Sequence, residues 1–421
     1  MIQTKTLLPG VNLRLYRDAR FKQGCLSFQF LRQMDKQEAA LNALLPAVLL
    51  RGTRQHPDMR SITAHLDTLY GAAVSTLVRR VGDYQITGLY CGFMDDRFAL
   101  PGDRVLEPML AFLEEILMDP LTEGEAFLPG IVDSEKKNLI ATIESELNDK
   151  RTYAMGKLLK VMCAADSFGL PRLGEPELVC AITAEGLYAH YRNILKTSPI
   201  EIFYVGSAEI ETVAAGLMPM LRRLERAFTP LPPQTGFAMC PGAVVEETMD
   251  VAQGKLCMGF TTPVTNRDDG FPAMQVMNTL FGAGMTSKLF MNVREKLSLC
   301  YSVGSGYYGT KGIIAVNAGI DFDKERQTRE EILRQLAACQ EGQITPLELS
   351  AAKEAILSSL RSTHDSPGSI ESFYATANVS GLKLSVQEYM TAVEAVTAED
   401  VAAAARTVKL HTTYFLKGLN Q

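Results

Sequence analysis

Gln23-Gly24-Cys25-Leu26-Ser27-Phe28 recurs about 230 residues later as Gln253-Gly254-Lys255-Leu256-Cys257-Met258-Gly259-Phe260. Both stretches are short and apolar, and both read as strands. Each is followed by a polar loop (33–37; 265–269) and then an apolar helix, Ala39 to Leu50 and Pro272 to Phe281. The match continues outward. Tyr84 to Cys91 with Gly92-Phe93-Met94-Asp95-Asp96 parallels Ile313 to Ala318 with Gly319-Ile320-Asp321-Phe322-Asp323. Ile182-Thr183-Ala184-Glu185 parallels Val396-Thr397-Ala398-Glu399, each ahead of a helix and a strand. These matches predict a tandem duplication: two homologous units, each an α+β layer with strands in one sheet and helices over it. Thr229-Pro230-Leu231-Pro232-Pro233-Gln234-Thr235-Gly236 reads as an extended, semi-rigid connection. The expected organisation is a first domain over 1–228, a Pro-rich linker over 229–245 and a second domain over 246–421.

The 421 residues are 47% hydrophobic and 21% charged, enough to bury a large core. A net charge of −6, from 42 basic and 48 acidic residues, leaves no electrostatic footprint for nucleic acid or an anionic membrane. The longest apolar stretch, Ala39 to Leu50, is broken by Asn42 and Pro46 and falls short of the roughly 20 residues that span a bilayer. Met1 to Leu15 does not read as a secretory signal, so the expectation is a cytoplasmic protein. Eight cysteines are scattered with no Cys-x-x-Cys, the pattern of reduced, buried thiols. Only five histidines are present, and no two lie at helical i, i+4 spacing. Any histidine-based metal site must draw on a very small supply.

The helix after the first polar loop runs Leu41-Asn42-Ala43-Leu44-Leu45-Pro46-Ala47-Val48-Leu49-Leu50-Arg51-Gly52-Thr53, with Asp67-Thr68-Leu69-Tyr70-Gly71-Ala72 after it. This stretch resembles the N-terminal half of the pitrilysin/insulinase (inverzincin) metallopeptidases. In catalytic members that helix carries His-x-x-Glu-His ahead of a Gly-Thr turn, two zinc ligands and the base that activates water. Counting back from Gly52-Thr53, the resemblance puts the ligand positions at Ala43 and Ala47 and the base at Pro46. The family's third ligand is a glutamate seven residues after another; seven after Glu135 stands Thr142. The expected metal complement of this chain is therefore none.

A second motif has survived. Phe290-Met291-Asn292-Val293-Arg294-Glu295-Lys296-Leu297-Ser298-Leu299-Cys300-Tyr301-Ser302-Val303 resembles the family's C-terminal Arg-Glu-Lys…Leu-x-Tyr-Ser segment. The resemblance implies that Arg294 and Tyr301 hydrogen-bond the substrate backbone or its developing oxyanion. A guanidinium and a phenol are suitable donors for that task. Taken alone, the same spacing fits an arginine paired with a surface carboxylate and a tyrosine packed in the core.

Lost zinc ligands beside a retained Arg-Tyr pair resemble the non-catalytic subunit of two-chain members, such as the inactive partner of bacterial paired peptidases of the elongation factor P modification-associated type. The resemblance implies half of a clamshell chamber, a catalytic His-x-x-Glu-His paralogue as partner with zinc on that partner, a peptide substrate, and a possible homodimer when isolated. The alternative is a stand-alone peptide-binding or scaffold protein on an inactive peptidase fold. Other features read more simply. Gly282-Ala283-Gly284-Met285 lacks phosphate-loop spacing, His56 and His65 read as solvated or capping, and Asp95-Asp96 as turn chemistry.

Overall fold

The computed structural model describes residues 2–146 and 148–419 and divides them into two compact units. Among the described residues, the first holds 2–144, 171–233 and 364–376; the second holds 145–146, 148–170, 234–363 and 377–419. Each unit therefore includes one segment drawn from the other half of the sequence.

In the first unit, β1 (Ile2–Leu8), β2 (Val11–Arg17), β3 (Gln23–Gln33), β4 (Ala73–Val81) and β5 (Tyr84–Met94) join one sheet, and β6 (Thr122–Glu123) and β7 (Ala126–Phe127) form a small hairpin. With β8 (Ile200–Gly206) the large sheet is ordered β1-β2-β8-β3-β5-β4. Side chains alternate along β3 as the pleat requires. Leu26, Phe28 and Phe30 enter the main core beneath the Glu38–Leu49, Leu106–Met118 and Ala184–Thr197 helices. On the opposite face, Ser27 Oγ and Gln29 Nε2 donate at 2.7 and 2.8 Å to Glu371, which Arg79 also engages at 2.9 Å. Glu371 is fully buried, so the Pro367–Ser380 helix reaches this sheet through a satisfied charge.

In the second unit, β9 (Val244–Met249), β10 (Gly254–Thr261), β11 (Ser302–Tyr308), β12 (Ile313–Ile320) and β13 (Lys409–Gly418) are ordered β11-β12-β10-β13-β9. The duplication is visible in the pairing. β2 runs parallel to β8, β8 antiparallel to β3, β3 to β5 and β5 to β4. Correspondingly, β9 runs parallel to β13, β13 antiparallel to β10, β10 to β12 and β12 to β11. The strands that first suggested the repeat, β3 and β10, occupy equivalent central places. Cys257 of β10 packs with Ala154 and Leu158 of the Lys150–Met162 helix. A Cβ at Gly259 would stand 2.5 Å from Met162 Sδ, so the glycine makes room for that helix. A buried ion pair adds to this side of the unit, Lys311 Nζ lying 3.0 Å from Asp166.

Candidate functional site

The Glu38–Leu49 helix carries Ala43, Pro46 and Ala47, the positions that the sequence resemblance assigns to zinc binding, and its sequence is unusual for a helix because Pro46 sits inside it. Proline has no N–H and leaves the carbonyl four residues back without its helical donor. That carbonyl belongs to Asn42, and Thr87 Oγ1 on β5 donates to it at 2.6 Å. The Asn42 side chain is equally occupied. Its amide donates to Gln85 Oε1 at 2.8 Å, and its Oδ1 accepts from His190 Nε2 at 2.8 Å. Burial pushes His190 down to about 4, holding the imidazole neutral with its proton on the nitrogen that faces Asn42.

Ala43 and Pro46 are buried and Ala47 is half-buried, all on one face of the helix. Thr142, on the Pro129–Ser145 helix, is exposed and donates to its own Asn138 carbonyl at 2.9 Å. Zinc requires imidazole, thiolate or carboxylate donors. Two methyls and a pyrrolidine offer none, so these positions do not fit the ion. The acid that remains, Glu135, is buried and lies 2.5 Å from Arg51 Nε. Among the described residues, no group of three His, Cys, Asp or Glu side chains is placed to hold a metal.

The Gly-Thr turn after the helix has structural roles. A Cβ on Gly52 would stand 2.7 Å from the Pro57 carbonyl. Thr53 is buried; its backbone amide donates to the His56 carbonyl, its hydroxyl accepts from the His56 amide, and that hydroxyl donates to Glu115. Glu115 also accepts from His56 Nδ1 at 2.8 Å. Here the structure differs from the sequence expectation. His56 and His65 are half-buried neighbours, with ring centroids 4.7 Å apart and both against Phe112. Nine residues of separation hid the contact because the chain turns between them. Asp95 and Asp96 do serve turns and caps: Asp95 accepts from Arg97 and Ser207, and Asp96 accepts from the Val105 and Leu106 amides.

The Arg-Tyr segment lies in the second unit. Arg294 sits on a π-helical stretch, Leu289–Lys296, that follows a shorter one, Thr279–Ala283. Its guanidinium lies over the Phe290 ring at 4.7 Å and pairs with Glu295 at 3.2 Å. Tyr301 is 64% exposed, so it is not a core residue, and its hydroxyl donates to Asp321 at 3.2 Å. Lys324 foremost, with Tyr301 adding to it, holds Asp321 below the usual carboxylate range. Between the two motif residues, burial pushes the Cys300 thiol up to about 11, which removes it as a nucleophile near neutral pH. Two hydrogen-bond donors are thus presented on this segment, each beside a solvent-accessible carboxylate, Glu295 and Asp321. Sequence reasoning had not singled out Asn292, Thr87 or Arg51, whose roles depend on partners distant in the chain.

Comparison with known proteins identifies the family. A family profile described as the peptidase M16 inactive domain matches residues 181–356. The chain is 31% identical over 412 residues to the probable inactive metalloprotease YmfF of Bacillus subtilis, covering 97% of this chain and 96% of that one. An uncharacterized zinc protease of Streptomyces coelicolor is 26% identical over 72% of this chain and 68% of its own length. Among solved structures, a conserved protein from Enterococcus faecalis superposes with a TM-score of 0.91 at 26% identity, over 100% of this chain and 99% of that one. A peptidase M16 inactive domain from Pseudomonas fluorescens shares the fold, with a TM-score of 0.82 at 18% identity over 99% and 98% of the two chains. With alanine and proline where the zinc ligands and base would stand, the chain belongs to the peptidase M16 family as an inactive metalloprotease homologue.

Proposed function

We propose that this chain is the non-catalytic, substrate-binding subunit of a two-chain zinc endopeptidase. A partner carrying an intact His-x-x-Glu-His helix supplies the metal and the base. This chain supplies Arg294 and Tyr301, which hydrogen-bond the backbone of an extended peptide or the oxyanion that forms as it is attacked. The observation carrying this reading is the contrast between the two motifs. The zinc positions hold groups that bind no metal, whereas Arg294 is half-exposed and Tyr301 exposed, their donors held by the solvent-accessible carboxylates Glu295 and Asp321, which a peptide can displace. A guanidinium stacked on an aromatic ring is partly preorganised, and preorganised donors stabilise developing negative charge most effectively.

The test is co-expression with a His-x-x-Glu-His paralogue followed by hydrolysis of fluorogenic peptides. The purified single chain is expected to be inactive and the pair active. Arg294→Ala in this chain should lower kcat/KM of the pair by about 100-fold, and Tyr301→Phe by roughly 10-fold. A pair that cleaves peptides equally well with both substitutions would show this reading to be wrong.

A further inference from the structure

The stretch that carries Arg294 is π-helical over Leu289–Lys296, and π-helix otherwise occurs mostly as single turns inserted in α-helices. An eight-residue run of this rare register calls for contacts outside the backbone ladder that favour it. At its entry the Met291 amide still donates to Ser287, four residues back, at 2.9 Å. At its exit the Leu297 amide donates to Asn292, five residues back, at 3.1 Å. Between these bonds the register changes, and Asn292 stands at the change.

Asn292 uses both protons of its side-chain amide there. One goes to the Lys288 carbonyl at 3.0 Å, the acceptor that an α-register would give to the Asn292 backbone amide. The other goes to Gln335 Oε1, also at 3.0 Å, on the Glu325–Gln340 helix. Gln335 is fixed in turn, its Nε2 donating at 2.6 Å to the buried Glu331. At the front of the stretch Lys288, itself buried, pairs with Glu348 at 2.7 Å on the Pro346–Ser362 helix. Two neighbouring helices therefore grip the stretch by polar contacts, while the other Asn292 proton occupies the Lys288 carbonyl of the α-helical ladder. A slip of one residue would turn Arg294 by about 100° about the helix axis.

We infer that Asn292 is a positioning residue: by holding the π register through Lys288 and Gln335, it sets the direction in which Arg294 is presented. This rests on the subunit reading above only for the use made of Arg294. The register itself is a property of this chain. The test uses Asn292→Ala and the near-isosteric Asn292→Asp in the full chain, with Gln335→Leu as a milder variant should either fail to fold. Crystal structures of the variants are expected to show Leu289–Lys296 in the α register. Persistence of the π register without the Asn292 amide would overturn the inference.

In the complex with the catalytic partner, Asn292→Ala should lower kcat/KM by roughly 10-fold, and should cost nothing further in an Arg294→Ala background. A merely structural role would give losses that multiply in the double variant, which would overturn the positioning claim. If Arg294→Ala alone has no effect, the subunit reading fails, while the register claim still stands or falls on the variant structures.

Discussion

At the residue scale, His190 shows how a buried histidine can be fully occupied by the fold. It lies against the Glu38–Leu49 helix and serves Asn42 as a neutral donor. Its ordinary value in an unfolded chain is about 6.5. In the folded protein burial is the main cause that lowers it to about 4, with Arg32 acting the same way and Glu38 opposing. Below pH 6.5 the unfolded chain therefore takes up a proton that the folded state refuses. The stability associated with neutral His190 is fully present above pH 6.5 and is lost as the pH falls toward 4, by about 3 kcal/mol at the lower end. Denaturant unfolding at pH 7.5 and pH 4.5 should show this loss, and His190→Gln should reduce the difference. An unchanged difference in that variant would assign the acid sensitivity to other groups.

At the element scale, the Glu38–Leu49 helix tolerates Pro46 because a strand supplies the missing donor. Thr87→Val should leave the buried Asn42 carbonyl unsatisfied and cost about 1 to 3 kcal/mol. In a Pro46→Ala background the restored backbone amide can reach the same carbonyl, so Thr87→Val should then cost much less. A double-mutant cycle by thermal or denaturant unfolding measures the coupling directly. Equal costs in the two backgrounds would show that Thr87 does not compensate for the proline. The helix itself was legible from its apolar run, and the repeat located its counterpart at Phe271–Asn278. The compensation by Thr87 was not legible, because nothing local links residues 42 and 87. The π-helical stretch was equally hidden, since its polar anchors, Gln335 and Glu348, lie on later helices.

At the scale of the whole molecule, the two compact units do not follow the chain in sequence order. The second unit buries Ala154, Leu158 and Met162, residues that precede the Pro-rich connection. The first unit buries Ile370 and Glu371, which follow it. Fragments 1–228 and 234–421 expressed separately should therefore each lack part of a core and come out insoluble or poorly folded. Co-expression should recover soluble material. Circular dichroism and cooperative unfolding of each fragment check this, and a fragment that unfolds cooperatively by itself would contradict it. No helix among the described residues is long and apolar enough to cross a membrane, consistent with the apolar run broken by Asn42 and Pro46.

By itself the sequence carried the duplicated α+β architecture, and it placed at Ala43, Pro46, Ala47 and Thr142 side chains that supply no imidazole or carboxylate, and an arginine and a tyrosine seven apart at Arg294 and Tyr301. These are matters of pattern and of donor chemistry, and both are fixed by residue type and spacing. Only the tertiary structure decided which segments complete each core, that Thr87 relieves Pro46, that His56 and His65 meet, and that Arg294 rides on a π-helical stretch held by Asn292. Each of these depends on contacts between residues far apart in the chain, where burial and unsatisfied hydrogen bonds rather than local propensity select the partner.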